Sequence, residues 1–192
     1  FMISELARLF RISLSRGKTI IRIEDELQHC RNYMNIQKYR YKERFVTEYD
    51  VSEEIYPFCT VKLILQPILE NAIYYGMEAM DDDGIISVRG YQKDGDVFLE
   101  ISDNGLGMPE EAAAKLLTEG ERVRSRGSGV GLLNVHNRIR LRFGEQYGLQ
   151  IESFPDEGMT VRIHIPYIPY TEETCRQLEE GKLPDGKGGR SV

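Results

Sequence analysis

The chain has 192 residues, 41% apolar and 29% charged, with a net charge of −6. That allows one substantial core with some appended structure, and it leaves no basic stripe for a nucleic-acid surface. Three scattered cysteines, Cys30, Cys59 and Cys175, match neither a metal pattern nor a disulfide framework and point to a reducing, cytosolic setting; no apolar run reaches membrane-helix length, so no direct membrane contact is expected.

In chain order, Ile3, Leu6, Phe10 and Leu14 fall at helical spacing up to Gly17, so the chain opens inside a helical pattern, as a piece of something longer would. A second helix is predicted from about Glu24 to Lys42, with Leu27, Cys30, Met34 and Tyr41 on one face. Packing on the domain and a dimer stem are equally good readings of these helices. "RFVTEYDV" reads as a strand. "VKLILQPILENAIYYGMEAM" reads as a helix with Val61, Leu65, Ile68 and Ala72 as its buried stripe and Pro67 in the first turn or at a kink. "GIISVRGYQ" and "DVFLEISD" read as a hairpin through Lys93-Asp94-Gly95. A short helix from Pro109 to about Leu117 follows, then a polar, glycine-punctuated loop. "VGLLNVHNRIRLRFG" is an amphipathic helix stopped at Gly144, and "YGLQIESF" with "GMTVRIHIP" closes the domain as a strand pair. From Thr171 onward the tail is polar and glycine-rich and is expected to fray. Strands on one layer and helices on the other make the class α+β.

Three segments break the rule of their own element. Glu70-Asn71 places a polar edge on an otherwise buried helix. Asp103 ends an alternating strand and is followed by Gly105 and Gly107. Gly127, Gly129 and Gly131 open a helix. Singly these are a solvated edge, a turn former and a hinge. Together they suit a nucleotide. Glycines at a helix start leave unpaired N–H groups for phosphate. A carboxylate at a strand end accepts the exocyclic amine of adenine and repels the carbonyl of guanine, while the adjacent glycines let backbone approach the base. Asn71 offers a hard oxygen for Mg2+. Arg122, Arg124 and Arg126 lie in the intervening loop, as phosphate contacts or as a solvated charge run. No P-loop element is present, and the glycine spacing misses the dinucleotide fingerprint.

"LQPILENAIYYG", "DNGLGMP" and "RGSGVGLLNVHNRI" resemble the N, G1 and G2 boxes of the Bergerat (GHKL) ATPase superfamily. The "LQP-x-x-ENA" phrasing, the "GLLNVHNRIRLRFGE" helix and the upstream "IEDELQHCRNYMNIQKYRYKERF" are similar to the LytS/YesM-type sensor histidine kinases, over residues 20–166. The resemblance implies a two-layer α/β sandwich, its mixed, mostly antiparallel sheet covered on one face by helices and preceded by N-terminal helices. Residues 1–42 would be the helical linker and the end of the dimerisation and phosphoacceptor region, 43–168 the ATP-binding catalytic domain, and 169–192 a flexible tail. It implies ATP and Mg2+ as cofactors. Asn71 would be the metal ligand, with Glu70 beside it as the catalytic carboxylate. Asp103 would hold adenine, with Gly105, Gly107 and Thr160 at the base. Tyr75, Gly127, Gly129, Gly131, Leu132 and Asn134 would lie on the phosphate side.

Tyr75 stands where the subfamily commonly has histidine. Met159 stands where a threonine is common, and Thr160, one residue on, should face the other way on a strand. The acceptor histidine is expected upstream of Phe1. His29 reads as a linker-surface residue, His136 as a helix-surface group and His164 as a sheet-face residue. The implied partners are a response regulator and, at full length, a second copy, in the cytoplasmic part of a membrane-anchored kinase. A stand-alone ATPase or serine kinase of the same superfamily, and a degenerate nucleotide-gated dimerisation module, are the alternatives.

Overall fold

The computed structural model describes residues 18–41, 44–76, 83–118 and 128–184. The helix expected over Ile3–Leu14, the three loop arginines and Gly127 lie outside them. In chain order the elements are β1 (Ile20–Arg22), α1 (Ile23–Arg40), β2 (Phe45–Val51), β3 (Cys59–Val61), α2 (Leu65–Asn71) with a π-helical turn over Ala72–Gly76, and β4 (Gly84–Lys93). Then come β5 (Asp96–Asp103), α3 (Glu110–Lys115), α4 (Ser128–Phe143), β6 (Gly148–Phe154), β7 (Gly158–Pro166) and α5 (Glu172–Glu179).

The main sheet has the order β2-β4-β5-β7-β6, parallel only between β2 and β4. The alternation in β5 sends Val97, Leu99 and Ile101 to one face, where Ile86 and Val88 of β4 and Val161, Ile163 and Ile165 of β7 join them. Leu65, Ile68 and Leu69 of α2 and Leu132, Val135, Ile139 and Phe143 of α4 cover that layer. Each such side chain contributes about 2 kcal/mol on burial. On the other face Phe98 stacks on His164, whose Nε2 lies 2.8 Å from Asp96 Oδ2. Among the described residues no helix is long and apolar enough to cross a membrane.

Three expectations are corrected. Val61 is not helical. It ends β3, which pairs with the unforeseen β1 in a separate two-stranded ribbon, and α2 starts only at Leu65, with Pro67 in its first turn. Ile23, Leu27, Cys30 and Met34 of α1 belong to the same core as the sheet. His29 is fully buried rather than at the surface. The tail does not fray at Thr171. Thr171 Oγ1 accepts from Thr174 N–H at 3.1 Å and Thr174 Oγ1 from Thr171 N–H at 2.9 Å, a reciprocal cap that starts α5. Cys175 and Leu178 then bury, Arg142 of α4 donates to the carbonyls of Leu178 and Glu179, and the Glu179 carboxylate accepts the N–H groups of Thr19 and Ile20.

Candidate functional site

Asp103 is the last residue of β5, opposite Ile86 on one side and Met159 on the other. Pleating puts it on the helix-covered face with Ile101 and Leu99. Its Oδ1 accepts the Gly105 N–H at 3.0 Å. Burial pushes the carboxyl up to about 6, against the pull of the Gly105 and Met159 N–H groups. A carboxylate so poorly solvated, with only backbone donors, gains from any ligand that brings an N–H.

The strand has no tidy return after Asp103 because the next residues lie flat against the β6–β7 turn. Gly107 has φ +57, and a Cβ there would meet the Phe154 carbonyl oxygen at 2.1 Å. Gly158 has φ +90, and its Cβ would meet the Asp103 carbonyl oxygen at 1.9 Å. Only two glycines allow this crossing. Ser153, buried between them, accepts from Met108 N–H and donates to the Gly158 carbonyl, each at 2.9 Å, and Asp156 N–H donates to Leu106 at 2.7 Å. Gly158→Ala is therefore expected to displace the end of β5, costing about 2 kcal/mol or more and disturbing the Asp103 corner. A urea-unfolding midpoint compared with wild type checks it.

The N-box helix α2 and the G2 helix α4 lie side by side: a Cβ on Gly131 would sit 3.7 Å from the Pro67 Cβ. The π-helical turn that continues α2 packs on β4, β5 and β7, which carries Asn71 toward the strands that hold Asp103. Asn71 is half-buried, and its Nδ2 is buried with no partner among the described residues. Its amide oxygen is the kind of hard donor that suits Mg2+. No group of three or more His, Cys, Asp or Glu gathers among the described residues. Glu70 is exposed and accepts from Gln66 Nε2 at 2.8 Å. Gly129 lies in the first turn of α4, and Tyr75 lies in the π-helical turn.

Three candidate residues are not brought to this corner. Thr160 faces the open side of the sheet, where its Oγ1 lies 2.8 Å from Ser102 Oγ; its neighbour Met159 shares the Asp103 face. Leu132 is a core residue, fully buried because α4 turns its apolar stripe inward. Asn134 is exposed and lines an outer cavity of about 480 Å3 with Pro67, Asn137, Arg138 and Leu141, none of them from the Asp103 loop. His136 is committed elsewhere: its Nδ1 accepts the Leu149 N–H at 3.0 Å, and burial, with the nearby Arg140 charge, holds its pKa below the usual histidine value.

Sequence reasoning missed Ser153, Gly158 and Glu26. The Glu26 carboxylate is fully buried and accepts the N–H groups of Leu63, Ile64 and Leu65 at 2.8 to 2.9 Å, while Arg138 of α4 donates to the carbonyls of Lys62 and Leu63. The entry to the N-box helix is thus clamped from α1 and α4 at once. A carboxylate beside the Ile23-Leu27-Cys30 stripe was the available signal.

The profile of the histidine kinase-, DNA gyrase B- and HSP90-like ATPase family matches residues 60–169, and a histidine kinase profile matches 1–45. Sensor histidine kinase YesM of Bacillus subtilis is 36% identical over 166 residues, 86% of this chain and 27% of that protein. Sensor protein LytS of Bacillus anthracis is 28% identical over 86% of this chain and 28% of its own length. The chain thus spans little more than a quarter of these relatives. Among solved structures, the mycobacterial sensor histidine kinase MprB superposes with a TM-score of 0.56 at 19% identity, over 80% of this chain and 99% of that one. The catalytic domain of histidine kinase ThkA superposes at 0.60 and 18%, over 79% and 98%. These likenesses carry the fold alone. The Asp103 corner, the Asn71 helix and the glycine-opened helix α4 therefore sit in a chain that belongs to the histidine kinase-, DNA gyrase B- and HSP90-like ATPase family and carries the ATP-binding domain of the sensor-histidine-kinase type.

Proposed function

We propose that this chain is the catalytic part of a two-component sensor kinase, which passes the γ-phosphoryl group of Mg·ATP to a histidine and then to a response-regulator aspartate. One observation carries the reading: a half-buried carboxylate at the end of β5, its pKa pushed up to about 6, with two glycines clearing the backbone around it. Asp103 accepts the exocyclic amine of adenine, with Gly105 and Gly107 beside it at the base. Asn71 lends its amide oxygen to the Mg2+, which neutralises phosphate charge in such transfers. In this reading Gly129 and Gly131 serve the phosphate side, a role the family resemblance also assigns to Tyr75 and Gly127. The acceptor nitrogen attacks phosphorus, the bond to the β-phosphate oxygen breaks, and ADP leaves. Glu70, exposed beside Asn71, takes the N–H proton of the attacking imidazole. The fold neighbour ShkA was solved with AMPPNP, which supports a nucleotide in this architecture.

In this reading the acceptor is a histidine outside this chain, which the burial of His29 and the bonds of His136 to Leu149 and of His164 to Asp96 support. A homodimer, a cytoplasmic place beneath a membrane anchor and a cytoplasmic response regulator complete the proposal. The test is incubation of the kinase at full length with γ-labelled ATP. Acid-labile, base-stable label supports histidine transfer. Steady phosphate release without such label supports a stand-alone ATPase, and binding of neither ATP nor ADP overturns the reading. Asn71→Ala is expected to weaken Mg·ATP roughly tenfold, about 1.4 kcal/mol, with little change for ATP in EDTA, as measured by calorimetry.

A further inference from the structure

The exposed Glu70 carboxylate is tethered through a chain of side chains that begins on α1. His29 Nε2 lies 2.9 Å from Gln66 Oε1, and Gln66 Nε2 donates to Glu70 Oε1 at 2.8 Å. A carboxamide between a ring N–H and a carboxylate has one sensible orientation, oxygen to the donor and nitrogen to the acceptor. Turning it over would set its oxygen against the Glu70 oxygen. His29 Nε2 therefore carries the hydrogen, and Nδ1 is buried with no partner among the described residues.

Gln66 and Glu70 are four residues apart on α2, one above the other on the side that meets α1. An ordinary pair at this spacing would contribute a few tenths of a kcal/mol. The His29 end makes this one different. A fully buried imidazole with one nitrogen unpaired is held at a cost, and its satisfied nitrogen is spent on Gln66. Three residues earlier on α1, Glu26 grips the N–H groups that open α2. The start of α2 is locked to α1 by Glu26, and its exposed carboxylate is aimed from α1 through Gln66.

We propose that Gln66 is a positioning residue for phosphoryl transfer: it holds Glu70 in the orientation set by His29, so that the placement of α1 is read out at the carboxylate beside Asn71. The inference rests on the reading above, in which Glu70 takes the imidazole proton. Gln66 itself touches neither nucleotide nor acceptor.

The test is autophosphorylation of the kinase at full length, with kcat and the KM for ATP measured for Gln66→Leu, Glu70→Gln and the double variant. Gln66→Leu is expected to lower kcat roughly tenfold, the worth of one hydrogen bond to a charged group, with KM changed by less than about twofold. In the Glu70→Gln background the same substitution is expected to cost nothing further. Gln66→Glu keeps an acceptor for His29 but sets a like charge on Glu70, and is expected to lower kcat at least as far. It also serves if the leucine variant misfolds. His29→Leu should lower kcat, and His29→Gln, which keeps an N–H donor, should recover most of the loss. Normal kcat in Gln66→Leu and Gln66→Glu, with a slowed Glu70→Gln, overturns the relay and leaves the kinase reading standing. Losses that multiply in the double variant overturn it too, since they mark a merely structural role. A fully active Glu70→Gln removes the carboxylate's part and the relay with it, while adenine binding through Asp103 is untouched.

Discussion

Asp103→Asn is expected to abolish adenine-nucleotide binding while raising the melting temperature of the nucleotide-free protein. The two effects have one cause. The ordinary aspartate value is 3.8, and burial pushes Asp103 up to about 6. Because the folded-state value is the higher one, this group's contribution to stability is fully present below about pH 3.8. It is lost as pH rises through about 6 and the buried carboxyl must ionise. At pH 7.5 the ionised side chain costs about 3 kcal/mol at most. Asparagine removes the charge and still offers an oxygen to the Gly105 N–H, now bonded at 3.0 Å. The melting temperature should rise by roughly 5 °C or more. The asparagine amide then turns N–H toward the exocyclic amine of adenine, donor against donor, and affinity should fall at least about 100-fold. Calorimetry with ADP and a thermal melt at pH 7.5 check both halves. The wild type should also bind adenosine, which has no phosphate to titrate, progressively less well below about pH 6. A variant that binds ADP normally would remove Asp103 from the site.

What could be read from the sequence was whatever is written locally. Val97, Leu99 and Ile101 alternate, so β5 and its buried face were legible. Asp103, Gly105 and Gly107 stood out because an ordinary turn at a strand end needs one glycine, and here a second follows. Even the opposite facing of Thr160 followed from period-two pleating. The failures share another origin. "CTVKLILQPILENA" is apolar at most positions, and periodicity does not tell its strand from its helix. The switch falls at Leu63, with φ +56 and no glycine to mark it, because the signal that starts α2 lies at Glu26, 37 residues away. The tail misled for a different reason. Its eight-residue helix buries only Cys175 and Leu178, too few to show a stripe, and the cap between Thr171 and Thr174 replaces the usual glutamate with threonine.

Glu26→Ala should be the most destabilising single change on α1. Leu63 in the left-handed region followed by Ile64 near the helical region turns the N–H groups of Leu63, Ile64 and Leu65 into one concavity, and the carboxylate fills it. Left-handed leucine costs on the order of 1 kcal/mol and persists only where its surroundings hold it. Burial pushes the Glu26 carboxyl up while the N–H groups of Leu65, Leu63 and Ile64 and the nearby His29 pull it down, so removing the group also relieves a buried charge. Against that relief stand orphaned donors at about 1–3 kcal/mol each and the loss of a charge that favours ionised Arg138, the clamp on the Lys62 and Leu63 carbonyls. The balance is a loss of about 3–5 kcal/mol, a large share of a total near 5–15 kcal/mol. Glu26→Gln, which returns one acceptor oxygen but sets its amide against an N–H, should fall between. Urea unfolding followed by circular dichroism is the measurement. A midpoint unmoved by Glu26→Ala would mean that α1 is a spacer resting on the sheet. A large shift in one cooperative transition would mean that the linker and the ATP site fold as a single unit, so that a signal moving α1 must act on the N-box helix itself.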